Sequence, residues 1–314
     1  MSTAPGSSGV VVLRPGEVDE PDDTRISVLV LGPEGDVDVD ADVDVVVAPH
    51  GSTAAARREV VGVPDVDATV ATIRRRVAER PLAAVALARL LPRVVGVDVP
   101  HGLALESRTF SELLAGPEFA AWLAARGAPR PSGDPHRMRL DRVGDDLTIT
   151  LDRPTRRNAY DAAMRDALLE ALEIARLDPD VRVTLRGAGP DFCAGGDLDE
   201  FGTAQDLDAA HETRVAASPG ALVHALRDRV TAHVHGHAVG SGIEIAAFAG
   251  HVRADADARF ALPEVAMGLV PGAGGTVSLS RRIGRHRLLW WGLTGTVLDA
   301  ATAHRWGLVD ELVD

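Results

Sequence analysis

The second half of the sequence predicts an α/β fold in which strands and helices alternate. Residues 147–151, 181–185 and 230–239 alternate apolar with polar positions, as half-buried strands do. Residues 161–176 lie between the first two and carry apolar side chains on one helical face. Strand–helix–strand order indicates a parallel or mixed sheet that is covered by helices. Ligands bind such sheets at the carboxyl ends of the strands, so functional residues are expected in the loops there.

The first half predicts short strands followed by helices. Residues 26–31 and 43–48 are rich in β-branched residues and predict two buried strands. A helical pattern then covers residues 67–93, and further helices are predicted at 103–114 and 118–125.

A stretch rich in proline and glycine, residues 127–135, separates the two halves of the chain. We therefore divide the sequence into an N-terminal segment with short strands (1–66), a helical region (67–128), a linker (129–136) and an α/β core (137–314).

Composition excludes several classes of protein. The net charge is −13, which argues against nucleic acid as a partner because its phosphates require clustered basic residues. All 33 basic residues are Arg, so Schiff-base chemistry on a lysine is excluded. The single cysteine, Cys193, allows no internal disulfide and no multi-cysteine metal site. We see no secretory signal and no membrane-spanning run, and we expect a cytoplasmic location without membrane partners.

Two clusters of potential metal ligands have simpler explanations. The acidic run from Asp36 to Asp44 lacks the correctly placed Gly and distal Glu of a calcium loop, which favours a solvated acidic loop or edge strand. His233, His235 and His237 would share one face of a strand, a spacing that can bind zinc. No carboxylate pattern accompanies them, so we interpret them as structural or solvated and expect no metal.

Four segments of the core, three of which contain glycine, are the candidates for a binding site: 192–198, 237–244, 260–264 and 268–276. Glycines at strand-to-helix turns let the backbone approach a ligand and present N–H groups to anionic oxygen. The segments match neither a phosphate-binding P-loop nor a dinucleotide fingerprint. The G-x-S-x-G spacing of a nucleophile elbow also fails around Ser241.

In this order, the four segments resemble the enoyl-CoA hydratase/isomerase (crotonase) superfamily, and the resemblance runs from about Met138 to Asp314. It implies a crotonase-like ββα spiral core. It also implies an oxyanion hole formed by the backbone amides of Ala194 and Ser241. Residues implied to contact the substrate or its coenzyme A moiety are Arg157, Ala159, Gly195, Gly196, Asp197, Leu198, Gly240 and Gly272.

The resemblance further assigns Glu244 and Glu264 as the catalytic pair. Adding water to an α,β-unsaturated thioester requires a base for the water and a proton donor for the α-carbon. A like-charged neighbour raises one pKa, so one carboxyl group of such a pair stays protonated. Ser241 stands where the family usually has Gly; at a positive φ its Cβ would cost about 1–2 kcal/mol.

Residues 70–82 and 102–114 resemble helices that the family normally carries after its core. We therefore predict a permuted order in which the N-terminal helical region replaces the C-terminal helices. The alternative is an unrelated helical domain.

The expected activity is hydration of an enoyl-CoA or dehydration of a 3-hydroxyacyl-CoA. The alternatives are a double-bond isomerase of the same superfamily and a non-catalytic CoA-binding subunit. No bound cofactor is expected, since coenzyme A is part of the acyl-CoA substrate, and the resemblance implies a homotrimer or a dimer of trimers.

Overall fold

A computed structural model describes residues 9–17, 22–33, 43–128 and 136–313. Most of the acidic run, residues 36–42, lies outside the described residues, as do linker residues 129–135. Asp44, at the end of the acidic run, is buried and its carboxylate accepts a hydrogen bond from the Ser27 amide at 2.9 Å. Asp44 is therefore a structural residue of the first sheet.

The N-terminal segment forms a four-stranded, all-parallel sheet in the order β1-β2-β3-β4. Alternate residues face opposite sides: Val45 and Val47 join the main core, whereas Val46 and Ala48 join a smaller cluster. The two strands predicted at 26–31 and 43–48 are confirmed, and two neighbouring strands were missed. The strands are β1 (Val10–Leu13), β2 (Ile26–Val30), β3 (Val45–Pro49) and β4 (Val61–Val63).

The helical region contains four helices: α1 (Val66–Glu79), α2 (Pro81–Val95), α3 (Val99–Leu114) and α4 (Pro117–Arg126). Three of them begin with Pro in the first turn, where its missing N–H is not needed. Helix α3 begins at Val99, four residues before the predicted start at residue 103. The Asp98 carboxylate caps it there by accepting from the His101 amide at 3.0 Å.

The core contains a six-stranded sheet in the order β13-β10-β8-β7-β6-β5, parallel except for the β5–β6 pair. A three-stranded sheet, β12-β11-β9, lies beside it. The strands are β5 (Met138–Val143), β6 (Asp146–Leu151), β7 (Arg182–Gly187), β8 (Val230–Val234), β9 (His237–Val239), β10 (His251–Asp255), β11 (Arg259–Ala261), β12 (Leu298–Asp299) and β13 (Glu311–Val313).

The core helices are α5 (Ala162–Leu177), α6 (Leu207–Ala216), α7 (Pro219–Ala225), α8 (Ser241–Ala246), α9 (Gly275–Ile283), α10 (Arg285–Thr294) and α11 (Ala300–Trp306). Helix α5 matches the predicted amphipathic segment, and Asp161 caps it through the Met164 amide at 2.8 Å. No helix in the described part of the chain is long and apolar enough to cross a membrane.

The single strand predicted at 230–239 is wrong, because the chain turns at Gly236 and feeds two different sheets. Gly236 has φ +54°, and a Cβ there would lie 2.0 Å from the Pro190 carbonyl oxygen. His233 and His237 therefore sit in separate sheets, paired with Asp255 at 2.8 Å and Asp191 at 2.7 Å. The shared histidine face that a zinc site would need is not formed.

Helix α3 packs directly on the core. A Cβ on Gly102 would lie 2.9 Å from a methyl group of Val277 in α9, so the two helices approach closely. Phe110 of α3 contacts Gly272, just before α9. Apart from the smaller cluster at the first sheet, the buried apolar side chains of both halves belong to one continuous hydrophobic cluster. This packing brings the N-terminal helical region to the carboxyl ends of the core strands.

Candidate active site

Two carboxyl groups converge on the turn between β9 and α8. Glu244 lies in α8, and Glu264 follows β11; they are only 2% and 8% exposed. The turn residue between them is Gly240, with φ +47°. A Cβ there would lie 2.5 Å from Glu264 Oε1 and 3.8 Å from Glu244 Oε1. Glycine is therefore required for both backbone conformation and space, and the predicted pair is brought together.

A third carboxyl group, Glu106 of α3, reaches the same place and was not predicted. Four consecutive amides at the start of α9 donate alternately to two glutamates. Ala273 and Gly275 donate to Glu244 Oε2 at 2.8 and 2.9 Å. Gly274 and Thr276 donate to Glu106 at 2.6 and 2.7 Å. The unpaired N–H groups of this helix start are thus satisfied from both halves of the chain.

Burial dominates the electrostatics of the three glutamates. It raises the pKa of Glu244 to about 7, although the amides of Ala273 and Gly275 favour the charged form. Burial and then the charge of Glu244 raise the pKa of Glu106 to about 8. The same two causes raise the pKa of Glu264 well above its ordinary value. Glu264 Oε2 is buried without a hydrogen-bond partner among the described residues. Burial therefore favours the protonated forms in this cluster, and a carboxyl group whose pKa lies near neutral pH suits an acid–base site.

The backbone donors nearby differ from the expected pair. The Ala194 amide, the predicted oxyanion donor, donates to the Arg157 carbonyl at 2.9 Å, and Ala194 does not line the cavity. Gly196 does line it, and its amide has no acceptor among the described residues. Ser241 lines the cavity as the first residue of α8, so its amide has no partner within the helix. The geometry thus favours the amides of Gly196 and Ser241.

Ser241 is not strained. Among the described residues other than glycine, only Arg157 and Asn158 have positive φ, at 52° and 55°. The predicted cost of a Cβ at position 241 therefore does not arise, and the serine amide sits in ordinary helical backbone.

The other predicted contact residues divide into two groups. Asp197 and Gly272 line the cavity with Gly196. Asp197 also accepts a hydrogen bond from the fully buried Arg153 at 2.7 Å, which fixes its loop. The predicted residues outside the cavity lining are Arg157, Ala159, Gly195, Leu198 and Gly240.

Arg157 lies outside the cavity and pairs with Asp191 at 2.7 Å. That hydrogen-bonded pair, with His237 as a further donor, lowers the pKa of Asp191 to about 2. Cys193 is buried, and burial raises the pKa of its thiol to about 12, so it is no thiolate nucleophile at neutral pH.

The cavity has a volume of about 440 Å³. One wall consists of the core turns that carry Gly196, Ser241 and Glu264; the opposite wall is α3 with Leu103 and Phe110. A mostly apolar cavity with convergent carboxyl groups and free amides, at the strand ends of an α/β sheet, has the features of an acid–base site.

Comparison with known proteins agrees with this class. The family profile "Enoyl-CoA hydratase/isomerase" matches residues 147–314, which is more than half of the chain. The protein belongs to the enoyl-CoA hydratase/isomerase family.

Among curated relatives, 2,3-dehydroadipyl-CoA hydratase of Escherichia coli is 35% identical over 53% of this chain and 65% of that protein. The 1,2-epoxyphenylacetyl-CoA isomerase of Escherichia coli is 35% identical over 54% of this chain and 66% of its own. The chain therefore spans slightly less than two thirds of the length of these relatives.

Solved structures share the fold. Enoyl-CoA hydratase from Thermoplasma volcanium superimposes with a TM-score of 0.53 at 30% identity, covering 57% of this chain and 72% of that one. Pseudomonas aeruginosa AtuE gives 0.52 at 34% identity, covering 57% and 70%. These likenesses establish the crotonase-like α/β core.

Proposed function

We propose that the protein hydrates an enoyl-CoA thioester, or dehydrates the corresponding 3-hydroxyacyl-CoA, without a metal or bound cofactor. The observation that carries the proposal is the convergence of Glu244 and Glu264 over Gly240, inside a cavity that also presents the amides of Gly196 and Ser241. Two carboxyl groups this close together can act on the same substrate, one by removing a proton from water and the other by donating a proton to the α-carbon.

The two amides are the proposed oxyanion hole. When water adds to the β-carbon, the electrons of the double bond move to the thioester oxygen and form an enolate. N–H groups from Gly196 and Ser241 stabilise that oxygen, and each such donor contributes about 10²–10³-fold in rate. Because both amides belong to fixed turns, they need no reorganisation during the reaction.

The surroundings of the two carboxyl groups assign their roles. Glu244 accepts two backbone N–H groups at the start of α9, which favour its charged form, so it is the base that takes a proton from water. Glu264 Oε2 has no donor among the described residues, and burial and then the charge of Glu244 raise its pKa, so it is the acid that protonates the α-carbon. Water thereby adds OH to the β-carbon and H to the α-carbon.

The loops at 157–159 and 195–198 are the proposed binding site for the coenzyme A part of the substrate. Both lie beside the oxyanion turn: the Tyr160 amide donates to the Gly195 carbonyl at 2.8 Å, which joins the two loops. An acyl chain that extends from the turn would then enter the cavity toward α3.

A double-bond isomerase is the second candidate, because one of the relatives is named an isomerase and one glutamate can shuttle a proton between two carbons. The presence of two buried glutamates favours hydration. A non-catalytic CoA-binding subunit is the third candidate, and the raised pKa values of the cluster count against it.

The test is the absorbance of the conjugated enoyl thioester with crotonyl-CoA and longer enoyl-CoAs. Hydration removes the conjugation, and mass spectrometry detects the added water. Turnover to a product of unchanged mass would establish isomerisation instead. Tight binding without any product would favour the third candidate, a non-catalytic CoA-binding subunit.

We also propose that helices α1–α4 take the place of the C-terminal helices of the family, and that the protein forms a homotrimer or a dimer of trimers. The family match begins at residue 147, yet α3 closes the cavity from residues before it. Analytical ultracentrifugation tests the oligomer. If substitution of Glu106 changes activity no more than substitution of the exposed α3 residue Glu112 does, helices α1–α4 do not complete the active site.

A further inference from the structure

A positively charged side chain stands in the cavity wall opposite the catalytic turns. Arg214 of α6 lines the cavity, and its Nε donates to Ser107 Oγ of α3 at 3.0 Å. Its Nη2 donates to Ser111 Oγ, and its guanidinium lies over the Phe110 ring, 5.0 Å from the ring centre. These contacts hold the cation in one orientation.

No carboxylate forms an ion pair with this cation within 4.0 Å in the described part of the chain. Two arginines line the cavity; Arg165 forms an ion pair with Asp166 at 2.7 Å, whereas Arg214 forms none within 4.0 Å. Its Nη1 group has no hydrogen-bond partner among the described residues. Burial lowers the pKa of Arg214 and the charge of Glu106 partly offsets this effect, so the guanidinium remains charged at neutral pH. Partly buried charges are normally paired, so the position suits an anionic group of a ligand.

Arg214 is separated from the catalytic loop by one aromatic ring. Phe110 contacts Gly272, whose neighbour Ala273 donates to Glu244, and Phe110 also carries the Arg214 guanidinium. Apolar side chains of Leu103, Leu114 and Leu207 line the same cavity and suit methylene groups. An acyl chain that leaves the oxyanion turn and passes Phe110 therefore reaches the guanidinium.

On the basis of the proposed function, we propose that the substrate is a dicarboxylic acyl-CoA, whose free terminal carboxylate binds Nη1 of Arg214. A phosphate of coenzyme A is the other source of a matching anion, and the experiment separates the two. A matched control variant distinguishes ligand binding from a purely structural role, in which Arg214 only connects α6 to α3. Arg108 of α3 forms an exposed ion pair with Asp208 of α6 at 3.2 Å, so it links the same two helices outside the cavity.

The experiment compares the calorimetric affinities of adipyl-CoA and hexanoyl-CoA, saturated probes of equal chain length that are not hydrated. We expect the wild-type protein to bind adipyl-CoA at least tenfold more tightly, since a hydrogen bond to a charged group contributes about 1.5–3 kcal/mol. Arg214→Gln should abolish this preference and leave hexanoyl-CoA affinity unchanged. Arg214→Lys should keep part of it, and Arg108→Gln should keep all of it.

Equal affinities in the wild-type protein would overturn the proposal. An equal loss for both probes in Arg214→Gln would also overturn it, since it would assign the arginine to a phosphate of coenzyme A. If Arg108→Gln also loses the preference for adipyl-CoA, the preference depends on the packing of α6 against α3 and not on a contact between Arg214 and the ligand. Because binding is measured without turnover, an inactive protein that still prefers adipyl-CoA would contradict the hydratase proposal alone.

Discussion

The two walls of the cavity are built on different principles. The core wall, from residues 136–313, presents backbone amides and two glutamates at turns whose shape glycines determine, such as Gly240. The α3 wall presents side chains from a regular helix, including Phe110 and Glu106. Backbone groups at turns are rigid and suit the reacting atoms, whereas helical side chains can vary without disturbing the fold. We therefore place the proposed chemistry on the core wall and its modulation on the α3 wall.

Loss of either core glutamate should have the largest effect. Glu244→Gln and Glu264→Gln are each expected to lower kcat for hydration by about 10²–10⁴-fold, because general acid–base catalysis contributes that much. Affinity for hexanoyl-CoA should persist, since neither carboxyl group is proposed to hold the coenzyme. Steady-state kinetics on crotonyl-CoA with parallel calorimetry measures both. Full activity in either variant would remove that residue from the mechanism.

The N–H group of the proposed oxyanion donor Ser241 can be removed while its helix is kept. Ser241 is the first residue of α8, a position that tolerates proline, so Ser241→Pro removes the N–H and keeps the helix start. We expect kcat to fall by about 10²–10³-fold. Ser241→Ala retains the amide and should remain within a few-fold of the wild type. Equal losses in the two variants would instead implicate the hydroxyl group.

On the α3 wall, Glu106→Gln should change the pH profile more than the maximal rate. Burial and the charge of Glu244 raise the pKa of Glu264, and the charge that Glu106 acquires above about pH 8 adds to them. Without that charge, the acid should lose its proton at a lower pH, and the alkaline limb of kcat should move to lower pH. Glu112→Gln, an exposed change on the same helix, is the control and should leave the profile unchanged. A merely structural loss would lower kcat at all pH values without moving the limb.

The smallest expected effect concerns stability. Burial raises the pKa of Glu106 from 4.5 to about 8, so the folded protein keeps a proton that the unfolded chain has released. This group's stabilising contribution is complete below the unfolded pKa and is lost as pH rises through the folded one. In Glu106→Gln, the free energy of unfolding should therefore fall less steeply from pH 4.5 to 8. Denaturant titrations across this window measure it, and an unchanged slope would contradict the buried proton.

The core strands could be predicted because their signal, period-two alternation, is local. The roles of Glu244 and Glu264 were implied only by the family resemblance of the segments that carry them, and they stay a prediction. Glu106 could not be assigned, since its partner Thr276 lies 170 positions away. A retrospective signal exists, because Glu106 falls on the apolar face of α3 between Leu103 and Phe110. A charged residue on such a face marks a buried polar contact.

The errors have equally specific causes. The choice of Ala194 over Gly196 depends on which amide of a glycine loop faces the ligand, and Gly195 sets that with φ +92°, which no sequence pattern shows. Helix α6 was not predicted because it has no buried residue and thus no apolar periodicity. Arg214 was missed with it. The break at Gly236 was missed because an isolated glycine in a strand also occurs at a simple bulge.

The amides at the start of α9, which donate alternately to Glu244 and Glu106, couple the local opening of the two halves of the chain. Adjacent N–H groups of one helical turn, those of Gly274 and Gly275, are held by carboxylates from opposite halves of the sequence. Neither half can open locally without releasing acceptors from this turn. The four amides should therefore exchange their hydrogens with solvent at nearly the same slow rate, through openings that involve both halves together. The start of α9 thus makes the two halves a single cooperative unit.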